Sequence, residues 1–460
     1  MMEIANLIAQ PESKVLEFKR DLSSLAPILK TIVAFANTAG GILIIGLTTD
    51  RHIIGISDVF KAEETLANAI ADSISPAILP EIEITTVQEK ALLIVKVSHW
   101  RAPFYIKKEG IPNGVYIRLG STSRPAGPDI IAELQRSVTN VSYDQQGISY
   151  LSSSALDYEK IEKIFYSVNK EINDKKLQSL GVLVPSNNKY VPSIGGVILF
   201  GSDEARNRYV PDARVRCARF RGDDKTHLID RYQVEGTILD AVDEVPKFIA
   251  RNTRLTAQIQ KIRRRDIPEY PEIAIREILI NALAHADYSI PGSTIQIAIF
   301  DHRLEIQNPG MLPFGFTMED LKAGVSRVRN RVIAKVFHEL KLMEEWGSGY
   351  KRVIEECRKN NYQEPEWIEQ GTFIKVSFSP HLKTTYKPST ARQVEDLSDR
   401  EKIILNFFKK GQARPFREIF DKLSLNISER MLRYILAQLK KKGLLISKGK
   451  GRSTVWQKKN

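Results

Sequence analysis

The sequence predicts a soluble multidomain protein of the α+β class. Its 460 residues exceed what one hydrophobic core usually organises, and about 150 residues per domain would give three domains. Short apolar runs of strand length alternate along the chain with longer segments of helical period, as they do in α+β domains. Charge is uneven, because residues 396–460 hold 17 Lys and Arg against 6 Asp and Glu. That segment therefore carries +11 of the net charge of +13, and it is predicted to be a separate basic domain.

The first unit, residues 1–136, is predicted to combine a sheet with two helices. A short strand at 15–19 precedes an amphipathic helix at 27–38. Gly40 and Gly41 then turn the chain into the apolar run 42–45, which is short enough for a buried strand. A second helix is predicted at 62–74. The remaining strands of this unit are predicted at 81–87, 91–97 and 114–119.

The middle of the chain is predicted to contain a helical connector, residues 137–190, and a second α/β domain, residues 191–380. The apolar run 195–200 predicts a strand, with a partner strand at 215–220, and a long helix is predicted at 237–259. The later helices of this domain are predicted at 273–285, 332–340 and 350–360, and its later strands at 294–300, 304–307 and 372–378.

Residues 381–395 are rich in Thr, Lys, Ser and Pro and are predicted to form a linker to the last domain, residues 396–460. In that domain helices are predicted at 399–409, 416–423 and 429–442, with Ser398 and Ser428 as N-caps of the first and third. Two short strands, 444–447 and 454–457, follow. Three helices and a basic hairpin are typical of the winged variant of the helix-turn-helix.

A winged helix of this charge is expected to bind nucleic acid, most naturally duplex DNA. The N-terminal part of the third helix would enter the major groove and the wing would contact phosphates. The residues expected to do so are Arg430 and Arg433 on the helix and Lys448, Lys450 and Arg452 on the wing. A winged helix used only for protein contacts is the alternative, and the local charge excess argues against it.

Cysteine content and hydropathy indicate the cellular compartment of the protein and argue against a cysteine-ligated metal site. Cys217 and Cys357 are the only cysteines and have no metal-ligand spacing, so two buried thiols in a reducing cytoplasm are expected. No apolar window reaches membrane-spanning length, and the N-terminus lacks the pattern of a secretory signal. A cytoplasmic protein without a membrane partner is therefore expected.

Two motifs and a later strand segment in the first unit resemble the Schlafen-type AlbA-like domain. Residues 12–19 read ESKVLEFK, residues 34–41 read AFANTAGG, and residues 116–121 read YIRLGS, similar to that family's closing strand. The resemblance covers about 120 residues and implies nucleic-acid binding, and in Schlafen nucleases the cleavage of RNA by acidic residues. Glu12 and Glu17 flank a strand start and could hold Mg²⁺ or Mn²⁺ through their oxygens.

The third acid of such a nuclease would come from a G-V-D-D segment, which here reads GLTTD, so that only Asp50 remains, one position late. The chain departs from the family at this point. A domain that binds nucleic acid without cutting it is the alternative. In that case Lys19, Asn37 and Arg118 are the residues expected to face phosphates.

A third motif resembles the N-box helix of the gyrase, Hsp90, histidine kinase and MutL ATPases. Residues 277–282 read EILINA and residues 285–288 read HADY. The helical period places Glu277 and Asn281 one turn apart on one face. The resemblance implies that Asn281 binds the magnesium ion of ATP and that Glu277 orients the attacking water.

Further positions of this ATPase motif follow along the chain. Asn308 and Gly310 stand where the family has Asp-x-Gly, and the Asn lacks the charge of the Asp that reads adenine. Gly347 and Gly349 precede a helix, where glycines can admit a phosphate. The alternative is a degenerate fold whose glycines only make turns.

Together the three units resemble the divergent, RecG-related proteins described as predicted transcriptional regulators. Two functions are expected from this architecture. The first is a DNA-binding transcriptional regulator whose front half senses a nucleotide or nucleic acid, with or without weak ATPase activity. The alternative is a metal-dependent nuclease acting on tRNA or DNA in anti-phage defence. The position of Asp50 relative to Glu12 and Glu17 discriminates between them, and a homo-oligomer is compatible with either.

Overall fold

The computed structural model describes residues 2–260, 263–344, 347–381, 398–408, 412–423, 428–441, 444–449 and 454–458. The chain forms two compact units, Met1–Thr384 and Thr385–Asn460. The mixture of helices and strands in several sheets confirms the predicted α+β multidomain class.

The first part of unit one is built on a four-stranded sheet. Its strands, in spatial order, are Leu16–Lys19, Gly41–Ile45, Lys90–Val97 and Glu81–Val87. The first two are parallel, with Leu16 opposite Ile42, and the other pairs are antiparallel. Helices here are Met2–Ala9, Leu25–Asn37, Val59–Ser73, Gly110–Asn113 and Pro128–Thr139. Short strand pairs are Ile74–Ser75 with Tyr105–Ile106, and Tyr116–Leu119 with Thr122–Pro125.

The Leu25–Asn37 helix is the centre of this part of the protein. Its last seven residues are all buried, and Ile32, Val33 and Phe35 are fully excluded from solvent. They share one apolar cluster with Leu43 and Val95 of the sheet. A helix that is apolar on nearly every side needs cover from several elements, so it fixes the loops around its C-terminal end.

The second part of unit one is built on a six-stranded sheet. Its strands, in spatial order, are His227–Gln233, Val215–Arg221, Ile295–Ile299, Leu304–Pro309, Phe373–Phe378 and Glu366–Gln370. Val215–Arg221 and Ile295–Ile299 are parallel and the other pairs are antiparallel. The main helices are Ile238–Asn252, Glu272–His285, Met318–Ala323, Arg331–Glu339 and Gly349–Lys359.

The segment predicted as a connector belongs to this second core. It contains the helices Tyr158–Ser167 and Asp174–Leu180 and the hairpin Leu183–Ser186 with Lys189–Pro192. Ile161 and Phe165 are fully buried in the same apolar cluster as the six-stranded sheet. A free-standing connector would leave these side chains in water, so the segment is part of the domain.

Two secondary-structure predictions in this region are wrong. The apolar run predicted as a strand is the helix Ile194–Phe200, whose start is capped by the hydroxyl of Ser193. The run is buried on all sides, so its hydropathy has no period that distinguishes helix from strand. The long helix predicted at 237–259 ends at Asn252, and Leu255–Gln260 pairs with Arg263–Pro268 as a hairpin. The helix Asp203–Tyr209 completes this part.

The second unit contains the helices Asp399–Asn406, Phe416–Lys422 and Glu429–Lys441. Its three-stranded sheet has the order Ala413–Pro415, Val455–Lys458, Leu445–Lys448. Ser398 caps the first helix as predicted, in a capping box with Glu401. Leu432, Leu436 and Leu439 lie on the buried face of the third helix. The strand Ala413–Pro415 was not predicted, because three residues carry no readable period.

Three remaining predictions concern the cysteines, the linker and membrane segments. Cys217 and Cys357 are both buried free thiols, as predicted. Of the predicted linker 381–395 only His381 lies within the described residues; it is buried and its N–H donates to the carbonyl of Glu269. None of the described helices has both the length and the apolar character that crossing a bilayer requires.

Candidate functional site

Glu277 and Asn281 lie side by side on the Glu272–His285 helix, as the helical period predicts. The Nδ2 of Asn281 donates to Oε1 of Glu277 at 3.1 Å. The other oxygen of Glu277 accepts from Arg352 at 2.7 Å. Among the described residues no donor reaches Oδ1 of Asn281. An amide oxygen left free beside a carboxylate is chemically suited to a hard divalent cation.

The two glycines of the 347–349 segment bring a helix start against this pair. A Cβ built on Gly349 would lie 2.4 Å from Oε1 of Glu277 and 3.2 Å from Nδ2 of Asn281. Gly347 has φ of +64°, a conformation that side chains disfavour, and its Cβ would lie 2.3 Å from the carbonyl oxygen of Gly324. The backbone of Gly324 leaves no room for a Cβ at position 347, whereas at position 349 a Cβ would meet the flexible end of the Glu277 side chain.

Asn308 and Gly310 lie at the end of the Leu304–Pro309 strand. Asn308 is buried, and Gly310 has φ of +102° with its Cβ position 2.7 Å from Cβ of Asp287. The backbone N–H of Asp287 donates to the carbonyl of Pro309 at 2.8 Å, which ties this strand end to the end of the Glu272–His285 helix.

Five of the six positions predicted for nucleotide binding or hydrolysis line one cavity of 140 Å³. They are Glu277, Asn281, Asn308, Gly347 and Gly349. Gly310 does not line the cavity but is two residues beyond Asn308. Residues separated by up to 72 positions along the chain thus line one cavity.

Several residues of this cavity were not singled out from the sequence. Much of its wall is apolar, including Ile278, Met311, Leu312, Phe316, Ile374 and Val376. Tyr350 and Trp367 add a pair of aromatic rings 4.8 Å apart, and Arg327 and Arg352 supply positive charge. Arg352 follows Gly349 by one helical turn, and this spacing was the available signal. Trp367 lies on a strand that was not predicted.

His285 also lines the cavity, at the C-terminal end of the Glu272–His285 helix. Burial, with a smaller contribution from the charge of Arg329, lowers the pKa of His285 to about 4. The imidazole is therefore neutral near pH 7, and it adds no charge to the cavity.

The three acids predicted for a nuclease centre do not form one. Oε1 of Glu12 accepts the backbone N–H of Phe18 at 3.0 Å, and the carboxylate of Glu17 pairs with Arg118 at 2.9 Å and with Lys19. Asp50 is exposed. Within the described part of the chain, no three His, Cys, Asp or Glu side chains are grouped so that they could hold a metal ion. The prediction of Glu12, Glu17 and Asp50 as a metal-holding trio is corrected accordingly.

Two of the three residues predicted to face phosphates are interior residues. Asn37 is fully buried and bonds the backbones of Phe104 and Tyr116. Arg118 is 1% exposed and donates to the carbonyl of Ser13, with its guanidinium over the ring of Phe35. Both predictions are wrong because these polar groups organise loops inside the domain. Lys19 is half-buried and is engaged by Glu17.

The predicted DNA-contacting residues of the second unit are exposed where they are described. Arg430 and Lys448 are both exposed. Arg433 is exposed too, with its guanidinium over the ring of Phe416 and an ion pair to Glu429 at 3.4 Å. Lys450 and Arg452 lie outside the described residues.

Two family models match the first unit. One, described as "Schlafen, AlbA_2", covers residues 12–127. The other, described as "Putative ATP-dependent DNA helicase recG C-terminal", covers residues 292–378. No curated protein matches the chain.

Among solved structures, the DIP2311 protein of Corynebacterium diphtheriae is 18% identical, with 100% of this chain and 96% of that chain covered and a TM-score of 0.43. The N-terminal domain of a RecG-related protein of Nitrosomonas europaea is 30% identical over 27% of this chain and 90% of that domain, with a TM-score of 0.22.

Proposed function

We propose that this chain, which belongs to the RecG-related proteins with a Schlafen AlbA_2 domain, is a DNA-binding regulator whose first unit binds ATP. The coarser statement, a nucleic-acid-associated protein, follows from its two matched domains. The observation that carries the proposal is the convergence of Glu277, Asn281, Asn308, Gly347 and Gly349 on one cavity.

The cavity offers the separate surfaces that a nucleotide needs. Its apolar walls and the rings of Tyr350 and Trp367 are suited to a planar base, and the buried amide of Asn308 can hydrogen-bond a base edge. Arg327 supplies charge for phosphates, and the N-terminus of the Gly349–Lys359 helix also lies at the cavity. Asn281 would hold a magnesium ion, which would offset the charge of the phosphates.

The state of Glu277 favours sensing over rapid hydrolysis. A general base must be free to accept a proton from water. Here one carboxylate oxygen of Glu277 accepts from Asn281 and the other from Arg352. In this arrangement Glu277 holds the cavity wall together, and ATP acts on the protein mainly by being bound.

The DNA-binding part of the proposal rests on the second unit. Its order of helix, strand, helix, helix, strand, strand is the one a winged helix requires. Arg430 and Arg433 lie in the first turns of the third helix, where a recognition helix reaches bases and phosphates. The net charge of +11 over residues 396–460 supplies the attraction to a duplex.

Cleavage of nucleic acid is not part of the proposal. The predicted discriminator was the position of Asp50, and its exposure, together with the pairing of Glu17 to Arg118, favours binding over cutting.

Equilibrium dialysis of ATP with Mg²⁺ against the full chain tests the nucleotide assignment. Saturable binding is expected, weakened at least about tenfold by Asn281→Ala, because one lost charge-assisted contact costs on the order of 1.5 kcal/mol or more. Asn68→Ala, the same change on the exposed face of the Val59–Ser73 helix, should bind like wild type. Equal affinity of all three proteins would refute the assignment.

A further inference from the structure

A second cavity in the first unit, of 340 Å³, is lined largely by arginine. Its walls come from two stretches of the chain, residues 99–143 and residues 287–331. The arginines are Arg101, Arg136, Arg327, Arg329 and Arg331. Apart from the shared residues Pro313, Ser326 and Arg327, it is distinct from the nucleotide cavity.

The acidic side chains of this second cavity do not balance its charge. They are Glu133 and Asp287, and each forms an ion pair with Arg329. The distance between Arg329 and Asp287 is 3.2 Å. Across the described parts of the chain, no carboxylate lies within ion-pair distance of Arg101, Arg136, Arg327 or Arg331. Four like charges therefore face one cavity without acidic partners, an arrangement that costs energy unless an anion offsets it.

Neutral groups hold these arginines in place. Arg101 and Arg331 both donate to Oδ1 of Asn140, at 3.2 and 2.6 Å, and Arg136 lies over the ring of Tyr143. Arg327 donates to the carbonyl of Phe314. Such contacts fix the direction of a guanidinium but leave its charge available.

Two further observations at the same place indicate a missing acceptor. The Nε of Arg329 is buried and has no hydrogen-bond partner, which is costly for a charged donor. Burial, and secondarily the charge of Arg101, lowers the pKa of Arg327 below its usual value. The charged form of Arg327 is therefore less favoured than it would be in water, and a bound anion would stabilise it.

We propose that this cavity binds a small anion with two or three phosphate groups, either inorganic polyphosphate or the phosphate tail of a nucleotide. Planar guanidinium groups match pairs of phosphate oxygens, and several of them converging on one cavity select multiple charge. The partial burial of Arg327 and Arg329 suits a compact ligand better than a nucleic-acid strand. The proposal does not depend on ATP binding in the neighbouring cavity.

Isothermal titration of inorganic triphosphate into the full chain tests it. One saturable site is expected, weakened about tenfold or more by Arg101→Gln and by Arg136→Gln. Arg124→Gln removes an exposed arginine that does not line the cavity and should change affinity less than twofold. Neither cavity substitution breaks an ion pair, and thermal unfolding of each variant verifies that it is folded.

Asn281→Ala separates the two cavities in the same experiment. If the triphosphate binds here, this variant keeps its affinity; if the affinity is lost, the anion occupies the nucleotide cavity and the proposal fails. It also fails if no saturable binding occurs, if the Arg124 control weakens binding as much as the cavity variants, or if only a single-stranded oligonucleotide binds. The source of the phosphate groups is tested in the Asn281→Ala variant. If this variant binds ATP, and adding Arg101→Gln abolishes that binding, the ligand is the phosphate tail of a nucleotide. If it binds triphosphate but not ATP, the ligand is the free anion.

Discussion

At the scale of single residues, the first unit uses buried polar groups as structural anchors. Arg118 reaches from the Tyr116–Leu119 strand to Glu17 on the first strand and to the loop at Ser13. Asn37 similarly joins a helix end to two backbone segments far along the chain. Such side chains look like ligand-binding residues in a sequence, because both roles require a polar group at a fixed position. Burial decides between the roles, and burial is a property of the fold.

Loss of the Arg118 anchor is predicted to destabilise the first unit strongly. Arg118→Ala leaves the carboxylate of Glu17 buried beside only Lys19, and removing one partner of a buried pair costs about 3–5 kcal/mol. The measurement is the free energy of unfolding in urea. Arg124→Ala, an exposed arginine on the neighbouring strand, should change it by less than about 0.5 kcal/mol. Similar losses for both variants would contradict the structural role of Arg118.

The neutral state of His285 predicts a specific pH dependence of stability. With a folded pKa of about 4 and an unfolded value of about 6.5, the unfolded chain binds a proton that the folded chain rejects. The free energy of unfolding therefore falls as pH drops from about 6.5 towards 4, by at most about 3 kcal/mol from this residue. His285→Gln should flatten the profile in that window, whereas His302→Gln, at an exposed histidine, should not. An unchanged slope for His285→Gln would show that the imidazole is not held neutral.

At the scale of elements, the candidate site depends on how closely two helices approach. The start of the Gly349–Lys359 helix meets the Glu272–His285 helix at Glu277 and Asn281, and a Cβ at position 349 would have to displace the Glu277 carboxylate. The glycine spacing in the sequence thus indicates that the two helices pack closely. The candidate site is inferred from a second observation, because this contact also lines a cavity.

Filling that contact is predicted to disturb nucleotide binding more than folding. In Gly349→Ala the new methyl group displaces the Glu277 carboxylate, so affinity for ATP should fall about tenfold or more while the rest of the unit stays folded. Gly127→Ala places a methyl group in open space beside another helix start and should leave ATP affinity unchanged. Wild-type affinity in Gly349→Ala would show that the Glu277 position does not matter for binding.

The helices and strands also show which parts of the secondary structure could be predicted from the sequence. The amphipathic helix at 429–441 was predicted within one residue of its observed end. The helix Ile194–Phe200 was not, because its neighbours cover every side and erase the period. The strand Leu255–Gln260 was merged into the helix predicted at 237–259, because its residues continue the polar-apolar pattern of the helix before it. The nucleotide positions were predicted through a motif, but the apolar and aromatic wall came from strands and loops with no motif.

At the scale of the whole molecule, charge and chemistry are divided between the two units. Almost all the net positive charge lies after residue 395, while the two cavities with perturbed or convergent polar groups lie before it. The first unit is close to neutral overall and must recognise ligands through local pockets. The second has the field that a duplex responds to. This division is what a ligand-responsive DNA-binding protein needs.

The affinity of the full chain for a fluorescent duplex, measured against salt concentration with and without ATP, tests this account most directly. Affinity is expected to fall roughly 10³-fold between 50 and 200 mM salt. It should drop when Arg430 and Arg433 are both replaced by Gln, and change on addition of ATP in the wild type but not in Asn281→Ala. Undetectable duplex binding at about 50 mM salt, or an ATP effect that persists in Asn281→Ala, would contradict it.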